Sequence, residues 1–226
     1  MASFRYDPQI LDRFPKLAGG ALLGSAMRSG PTSEGLRQVY LEEQQRVLER
    51  IGSRPLSEIE TLAGWRAAFR LFGVDPTQYR SAAEALLRRL TKKGDIPCIN
   101  VVVDICNLVS IRYALPVAGF DLRAVQGTIT VQFANGSERF TTLGEAAAEQ
   151  PQAGEVIFSD EAGLVVARRW CWRQSEESAA REDTQAALFT IEAQSDGGEA
   201  LVSQALDDLQ ELLSTYVGGQ YQRVAL

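Results

Sequence analysis

A hydrophobic segment at residues 96–125 constrains the fold most, because it carries three regularly spaced polar residues. Asn100, Asp104 and Asn107 are four and three residues apart, which places them on one stripe of an α-helix and not on one face of a strand. An unpaired amide in a protein core costs about 1–3 kcal/mol, and an unpaired charge costs more. The stripe is therefore expected either to hold irregular backbone or to face a ligand.

The composition is that of an ordinary globular protein, with 226 residues, 45% hydrophobic and 23% charged. No apolar run reaches the roughly 20 residues that a membrane span needs. The N-terminus also lacks the basic and then apolar pattern of a signal peptide. These features predict a cytoplasmic protein without a membrane partner.

Histidine is absent from the sequence, which removes the commonest general base and metal ligand. Catalysis by Ser-His or Cys-His pairs is therefore excluded. The three cysteines form no CxxC motif, so neither disulfides nor a metal site is expected, and no cofactor is predicted. The net charge of −6 argues against mainly electrostatic, nonspecific binding of nucleic acid, and DNA is not an expected partner. A protein with a net negative charge can still present one basic face.

The first half of the chain is predicted to be mainly helical. A short strand is expected at residues 17–24, and apolar residues then recur at helical spacing. Ser57 and Glu60 are expected to form a capping box, and Gly94 is expected to end the last of these helices. The predicted helices span 36–51, 57–73 and 81–94.

The second half is predicted to be rich in strands and to close with a helix. The pair Asn135 and Gly136 is typical of a hairpin turn between 127–133 and the segment that follows. The final amphipathic helix is expected from about Glu199 up to a Gly-Gly tail. Further strands are predicted at 155–159, 164–168 and 187–193. The sequence thus predicts a single α+β domain over 1–226, with an N-terminal helical part at about 33–94.

Several ordered segments resemble one known family. PCINVVVDICN at 97–107 is similar to a family run of the type PINNVVDITNYV, and Pro116, Phe120 and Asp121 match a following PLHAFD segment. Further similar segments are TTLGE at 141–145, VIFSDEAGLVVA at 156–167 and DTQAALFTIEA at 183–193. The family is the editing domain of the phenylalanyl-tRNA synthetase beta subunit, its third and fourth modules. The resemblance covers about residues 78–194.

The resemblance implies a layered β/β/α core, a pocket for an amino-acid side chain, and contact with the 3′ end of a tRNA. The length leaves no room for an aminoacylation module, so a free-standing relative rather than a ligase is expected. It would hydrolyse misacylated aminoacyl-tRNA or a related aminoacyl ester in trans, with positioned water and substrate hydroxyls. The alternative is a non-catalytic binding module for a free amino acid or another small ligand. A third reading is an interaction protein whose N-terminal helices present Tyr40, Trp65 and Phe72 to a partner.

The resemblance also suggests site residues. The family glutamate that recognises the amino acid falls on Glu192, whose alternative role is to end a strand in solvent. The family histidine is replaced by Ala118, and the family glycine pair is replaced by residues 168–174. Trp170 and Trp172 are expected to alternate in an extended segment and to form an aromatic floor, or else to fill the core.

Four more polar residues complete the predicted set. Arg173, beside the two tryptophans, is expected to grip a carboxylate or phosphate. Asp121 is expected either to bind a ligand or to cap a turn. Asn100, Asp104 and Asn107 are candidates for the same pocket, with a purely structural role as the alternative.

Overall fold

The computed structural model describes residues 3–226, and this part of the chain folds into six α-helices and eleven strands. The helices are α1 Pro8–Arg13, α2 Glu34–Ile51, α3 Glu60–Leu71, α4 Ala82–Lys93, α5 Val101–Tyr113 and α6 Gly198–Tyr216. The strands are β1 Ser3–Tyr6, β2 Leu17–Ser25, β3 Val117–Asp121, β4 Thr128–Phe133, β5 Phe140–Thr141, β6 Ala148–Glu149, β7 Val156–Ser159, β8 Val165–Arg168, β9 Arg173–Gln174, β10 Ala187–Gln194 and β11 Gln220–Val224.

Two sheets and a helical layer form the core. One sheet has the order β1-β4-β7-β8-β9, and the other is antiparallel with the order β11-β2-β10-β3. Phe4, Phe158 and Leu188 belong to an apolar cluster shared by the two sheets. A second cluster joins β2 and β10 to α2, α5 and α6. The architecture is therefore β/β/α, which confirms the predicted α+β class.

Strand β10 contributes side chains to both apolar clusters, because successive side chains point to opposite faces of the strand. Phe189 and Ile191 belong to the helix-side cluster, whereas Leu188 belongs to the cluster between the sheets. Glu192 has the same parity as Leu188 and Thr190 and is likewise buried. The strand thus places a carboxylate inside the molecule.

The predicted helices are confirmed where local signals are strong. Ser81 caps α4 by accepting from the amide of Glu84, and Gly94 ends the helix in the left-handed conformation. Asn100 caps α5 through the amide of Val103. No helix of residues 3–226 is long and apolar enough to cross a bilayer.

The predicted capping box and hairpin are wrong. Residues Leu56–Glu58 form a 3₁₀ turn, and α3 begins at Glu60 without a side-chain cap. The loop at Asn135 does not return a strand to β4, because β4 pairs with β1 and β7 instead. The Glu138 carboxylate accepts from the Asn135 and Gly136 amides, so a local side chain replaces the hairpin bonds. The Gly-Gly tail also continues into β11, which pairs with β2.

The N-terminal helices do not expose the aromatic residues of the interaction-protein reading. Tyr40 and Trp65 are both buried, and Phe72 is half-buried against the core. Gly64 allows α3 to lie directly on the end of β10, because a Cβ there would lie 2.0 Å from the Gln194 carbonyl oxygen. These helices therefore form part of the same core.

Candidate functional site

A cavity of about 130 Å³, called the central cavity below, lies beside the edge strand β3. Its walls come from α5, from β3 and β10, and from the turn that follows β8, and Ala82 at the start of α4 closes one side. A cavity of roughly 150 Å³ lined by apolar residues admits benzene. The central cavity therefore matches a side chain of amino-acid size.

Glu192 lies on the cavity wall and is only 2% exposed. The Tyr6 hydroxyl donates to Oε1 over 2.9 Å, and the Trp170 indole Nε1 lies 3.1 Å from both carboxylate oxygens. The alternative in which Glu192 ends a strand in solvent is therefore wrong. These two neutral donors leave the carboxylate without a cationic partner in the described part of the chain.

Burial raises the pKa of Glu192 from 4.5 to about 7, and the hydrogen bonds from Trp170 and Tyr6 act in the opposite direction. Near neutral pH both protonation states are populated. A group with such a pKa can accept a proton or a hydrogen bond from a ligand, or donate one, without a large free-energy cost. Perturbed carboxyl groups of this kind are frequent at functional sites.

Tyr6 reaches Glu192 because a glycine, which has no side chain, lies beside Glu192 on the neighbouring strand β2. Gly19 on β2 is the register partner of Glu192, and a Cβ on Gly19 would lie 1.9 Å from the Tyr6 hydroxyl oxygen. Burial raises the pKa of Tyr6 well above its ordinary value, and the nearby carboxylate adds to this effect. Tyr6 therefore acts as a neutral hydrogen-bond donor.

The prediction that Trp170 and Trp172 alternate along an extended segment is wrong. Arg169 and Trp170 have φ angles of 43° and 60°, so the chain turns sharply after β8. Trp170 is fully buried and contacts Phe14 edge to face, with ring centroids 4.7 Å apart. Trp170 is therefore core filler as well as the donor to Glu192.

Trp172 lies at the cavity rim and is half-buried. The Arg169 and Arg173 guanidinium groups lie 4.6 and 4.5 Å from the centre of its ring, and Tyr79 packs edge to face at 5.0 Å. Arg173 is exposed and forms no salt bridge within residues 3–226, so its donors remain available to an anion.

The polar stripe of α5 has a divided role. Asn100 donates to the Ala180 carbonyl and caps α5, and Asp104 accepts from the Ile99 amide and the Thr32 hydroxyl. Neither lines the central cavity. Asn107 does line it and is half-buried.

Asp121 is buried away from the cavity at the end of β3. Its carboxylate accepts from the backbone and side chain of Arg123 and from the Thr184 hydroxyl. Burial opposes ionisation, but these hydrogen bonds hold the pKa below its ordinary value. Asp121 therefore fixes the turn after β3. Of the predicted site residues, the structure brings five to the cavity: Glu192, Trp170, Trp172, Arg173 and Asn107.

Sequence reasoning missed two residues of the site. Tyr6 belongs to a four-residue strand, and the alternation of Phe4 and Tyr6 is its only local signal. Gln174 also lines the cavity, and its amide donates to the Gly119 and Ser178 carbonyls. Nothing in the local sequence indicates these distant acceptors.

The cavity holds no activated nucleophile. Cys171 lines it, but burial raises the pKa of the Cys171 thiol well above its ordinary value, and Glu192 adds to the effect. Burial likewise raises the pKa of Cys106 to about 12. No group of three or more Cys, Asp or Glu side chains between residues 3 and 226 is arranged to hold a metal ion.

Comparisons with known proteins agree with this architecture. The phenylalanine–tRNA ligase beta subunit of Shewanella oneidensis is 30% identical over 88 residues, which cover 39% of this chain and 11% of that protein. An N-terminal fragment of the phenylalanyl-tRNA synthetase beta subunit from Pyrococcus horikoshii is similar in structure, with a TM-score of 0.53 and 13% identity. That match covers 99% of this chain and 51% of the fragment, and at this identity it shows a shared fold.

The family model described as the B3/4 domain matches residues 64–218, which is more than half of the chain. The curated relative carries a similar segment, and the solved beta-subunit fragment has the same layered fold. The resemblance predicted from the sequence is thereby confirmed, and this chain belongs to the B3/4 domain family.

Proposed function

We propose that this chain binds the aminoacyl group of a misacylated tRNA, or of a related aminoacyl ester, in the central cavity and promotes its hydrolysis in trans. The single observation that carries the proposal is the convergence of Glu192, Trp172 and Arg173 on one cavity that fits a ring-sized group. The relatives are phenylalanine–tRNA ligase beta subunits, which supports the same substrate class.

Each residue has a role that suits its surroundings. Glu192, buried and with a pKa near 7, accepts a hydrogen bond from the amino group or side chain of the ligand. Trp172 stacks on the part of the ligand that lies outside the cavity. Arg173, exposed beside it, contacts a carboxylate or phosphate.

The chemistry then falls to water, because the cavity offers no activated nucleophile. The water oxygen adds to the ester carbonyl carbon, the bond to the ribose oxygen breaks, and that oxygen leaves with a proton from the water. Binding the water and the ester side by side accelerates the hydrolysis, because the two reactants no longer have to meet by diffusion. Such a mechanism does not need histidine.

A deacylation assay with a panel of mischarged tRNAs tests the proposal. Stacking is worth about 1–3 kcal/mol, so Trp172→Ala should weaken substrate use by roughly 5- to 150-fold. Arg173→Gln should also lower it, whereas Arg70→Gln should not, because Arg70 is an exposed arginine on α3 that does not line the cavity. Absence of hydrolysis above background by the folded protein would overturn the enzymatic proposal.

The second candidate is a non-catalytic binding module for a free amino acid. The observations that favour it are the lack of an activated nucleophile in the cavity lining and the hydrogen bonds from Tyr6 and Trp170, which hold Glu192 in place as a binding group. Thermal unfolding in the presence of single amino acids separates the two candidates. A ligand present at 100 times its Kd should add about 2.7 kcal/mol of stability, without any hydrolysis of tRNA esters.

A further inference from the structure

We infer that a second surface, here called the basic cleft, binds phosphate groups of the RNA strand whose 3′ end enters the central cavity. The inference rests on the proposed function, because that function requires an RNA next to the cavity. The basic cleft has a volume of about 480 Å³ and lies between the end of α2, the 3₁₀ turn and α4. Its charged lining residues are Arg54, Arg66, Arg80, Arg88, Lys92 and Glu84.

The charge in the basic cleft is unbalanced. Glu84 is the one carboxylate among five cations of the lining, and it lies 2.6 Å from Arg66 and 3.8 Å from Arg80. Arg54, Arg88 and Lys92 are exposed and form no salt bridge within the described residues. In a chain with a net charge of −6, such a concentration of positive charge creates a local field that attracts anions.

The hydrogen-bond donors suit phosphate oxygens. The Nε of Arg80 is buried and has no hydrogen-bond partner between residues 3 and 226. It lies 3.8 Å from the Glu84 carboxylate, which is beyond hydrogen-bond distance, so Glu84 does not occupy this donor. Guanidinium groups bind phosphate through two parallel hydrogen bonds, and the exposed hydroxyl-bearing residues Ser53 and Ser57 add donors at the rim.

The position of the basic cleft favours a strand that spans both sites over a small phosphorylated molecule. Arg80 lines the cleft and Ala82 lines the central cavity, so their Cα atoms are at most about 7 Å apart. Tyr79 lies beside them and packs on Trp172 at the cavity rim. A single strand that passes from the cleft to the cavity would meet these two rings and the Arg169 guanidinium that lies over both of them, and a base can stack on a ring or on a guanidinium plane.

The test uses a single-stranded RNA oligonucleotide that ends in CCA and carries no amino acid, with binding followed by fluorescence anisotropy at several salt concentrations. The double variant Arg88→Gln/Lys92→Gln removes two exposed cations of the cleft. It should bind roughly tenfold more weakly, and the slope of log K against log salt should flatten by about 1.4. The control Arg70→Gln/Lys93→Gln removes the same charge outside the cleft and should bind like the wild type.

An unchanged affinity and slope in the cleft variant, with its thermal unfolding also unchanged, would overturn the inference. Binding of inorganic pyrophosphate in the cleft without binding of RNA would also overturn it and would assign the cleft to small phosphorylated ligands. Because the oligonucleotide carries no ester, its binding does not depend on hydrolysis. Salt-dependent binding through Arg88 and Lys92 without deacylation would therefore retain this inference while the proposed function fails.

Discussion

The indole Nε1 of Trp170 lies 3.1 Å from both carboxylate oxygens of Glu192, in the wall of the central cavity. The side chain that shapes the cavity thus also holds its single buried carboxylate. Because of this hydrogen bond, the stability of the core and the protonation of Glu192 depend on each other. Substitution of either residue should therefore change the free energy of unfolding.

Replacing Trp170 with Phe keeps an aromatic ring but removes the donor to Glu192. A hydrogen bond to a charged group contributes about 1.5–3 kcal/mol, so Trp170→Phe should lower the free energy of unfolding by that amount at pH 8, in addition to the cost of the smaller ring. Trp65→Phe is the matched control, because Trp65 packs against Trp170 and its buried Nε1 has no partner within residues 3–226. Equal losses in the two variants, measured by urea unfolding, would contradict the assigned hydrogen bond.

The pKa of Glu192 should make stability depend on pH. Because burial raises this pKa to about 7 in the folded protein, the folded state binds more protons than the unfolded state between about pH 4.5 and 7. The contribution of Glu192 to stability is therefore fully present below pH 4.5 and is lost as the pH rises through 7. The expected loss is about 3 kcal/mol.

The carboxyl groups of Asp121 and Glu155 have lowered pKa values, so they act in the opposite sense and at lower pH, where stability is lost as the pH falls. The quantity to measure is therefore the difference between the wild type and Glu192→Gln in urea unfolding from pH 4.5 to 8. This difference should shift in favour of the variant as the pH rises. A difference independent of pH would show that Glu192 has an ordinary pKa.

Substitution of Gly19 should act on the site through Tyr6. A Cβ at residue 19 would lie 1.9 Å from the Tyr6 hydroxyl oxygen, so Gly19→Ala must displace Tyr6 from Glu192. We expect a loss of roughly 1–3 kcal/mol in the free energy of unfolding, together with a higher pKa of Glu192. Gly30→Ala is the control, because nothing lies within 4 Å of the Cβ position there. A tolerated Gly19→Ala with normal ligand binding would argue against this packing.

A buried ion pair supports the turn that carries Trp170. The Arg168 Nε and Nη2 each lie 2.9 Å from the Glu155 carboxylate, which also accepts from the Arg169 amide. Glu155→Ala leaves a buried guanidinium without its main partner and should cost about 3–5 kcal/mol. Exposed Asp196, paired with Lys16, offers the contrast, since Asp196→Ala should cost about 1 kcal/mol or less. Calorimetric unfolding of both variants checks the difference.

The amino-acid sequence by itself determined those features that depend on near neighbours. Apolar spacing and the Gly94 C-cap place α4, and the spacing of the polar stripe places α5, since these signals span only a few residues. Alternation placed β4, and short, mainly apolar runs placed β7, β8 and β10. The family segments were enough to single out Glu192. The wrong prediction of a hairpin at Asn135 shows the limit of such signals. The Glu138 side chain is also close in the sequence, and it accepts the Asn135 amide in place of a hairpin partner.

Only the tertiary structure decided which residues surround Glu192. Tyr6 is 186 residues away in the sequence, and it reaches the carboxylate because β1 joins the far sheet while Gly19 opens the space between them. The turn at Trp170 depends likewise on core packing, which overrides the extended pattern of its segment. Contacts of this kind depend on how two sheets pack together, and the order of residues along one segment carries no information about that packing.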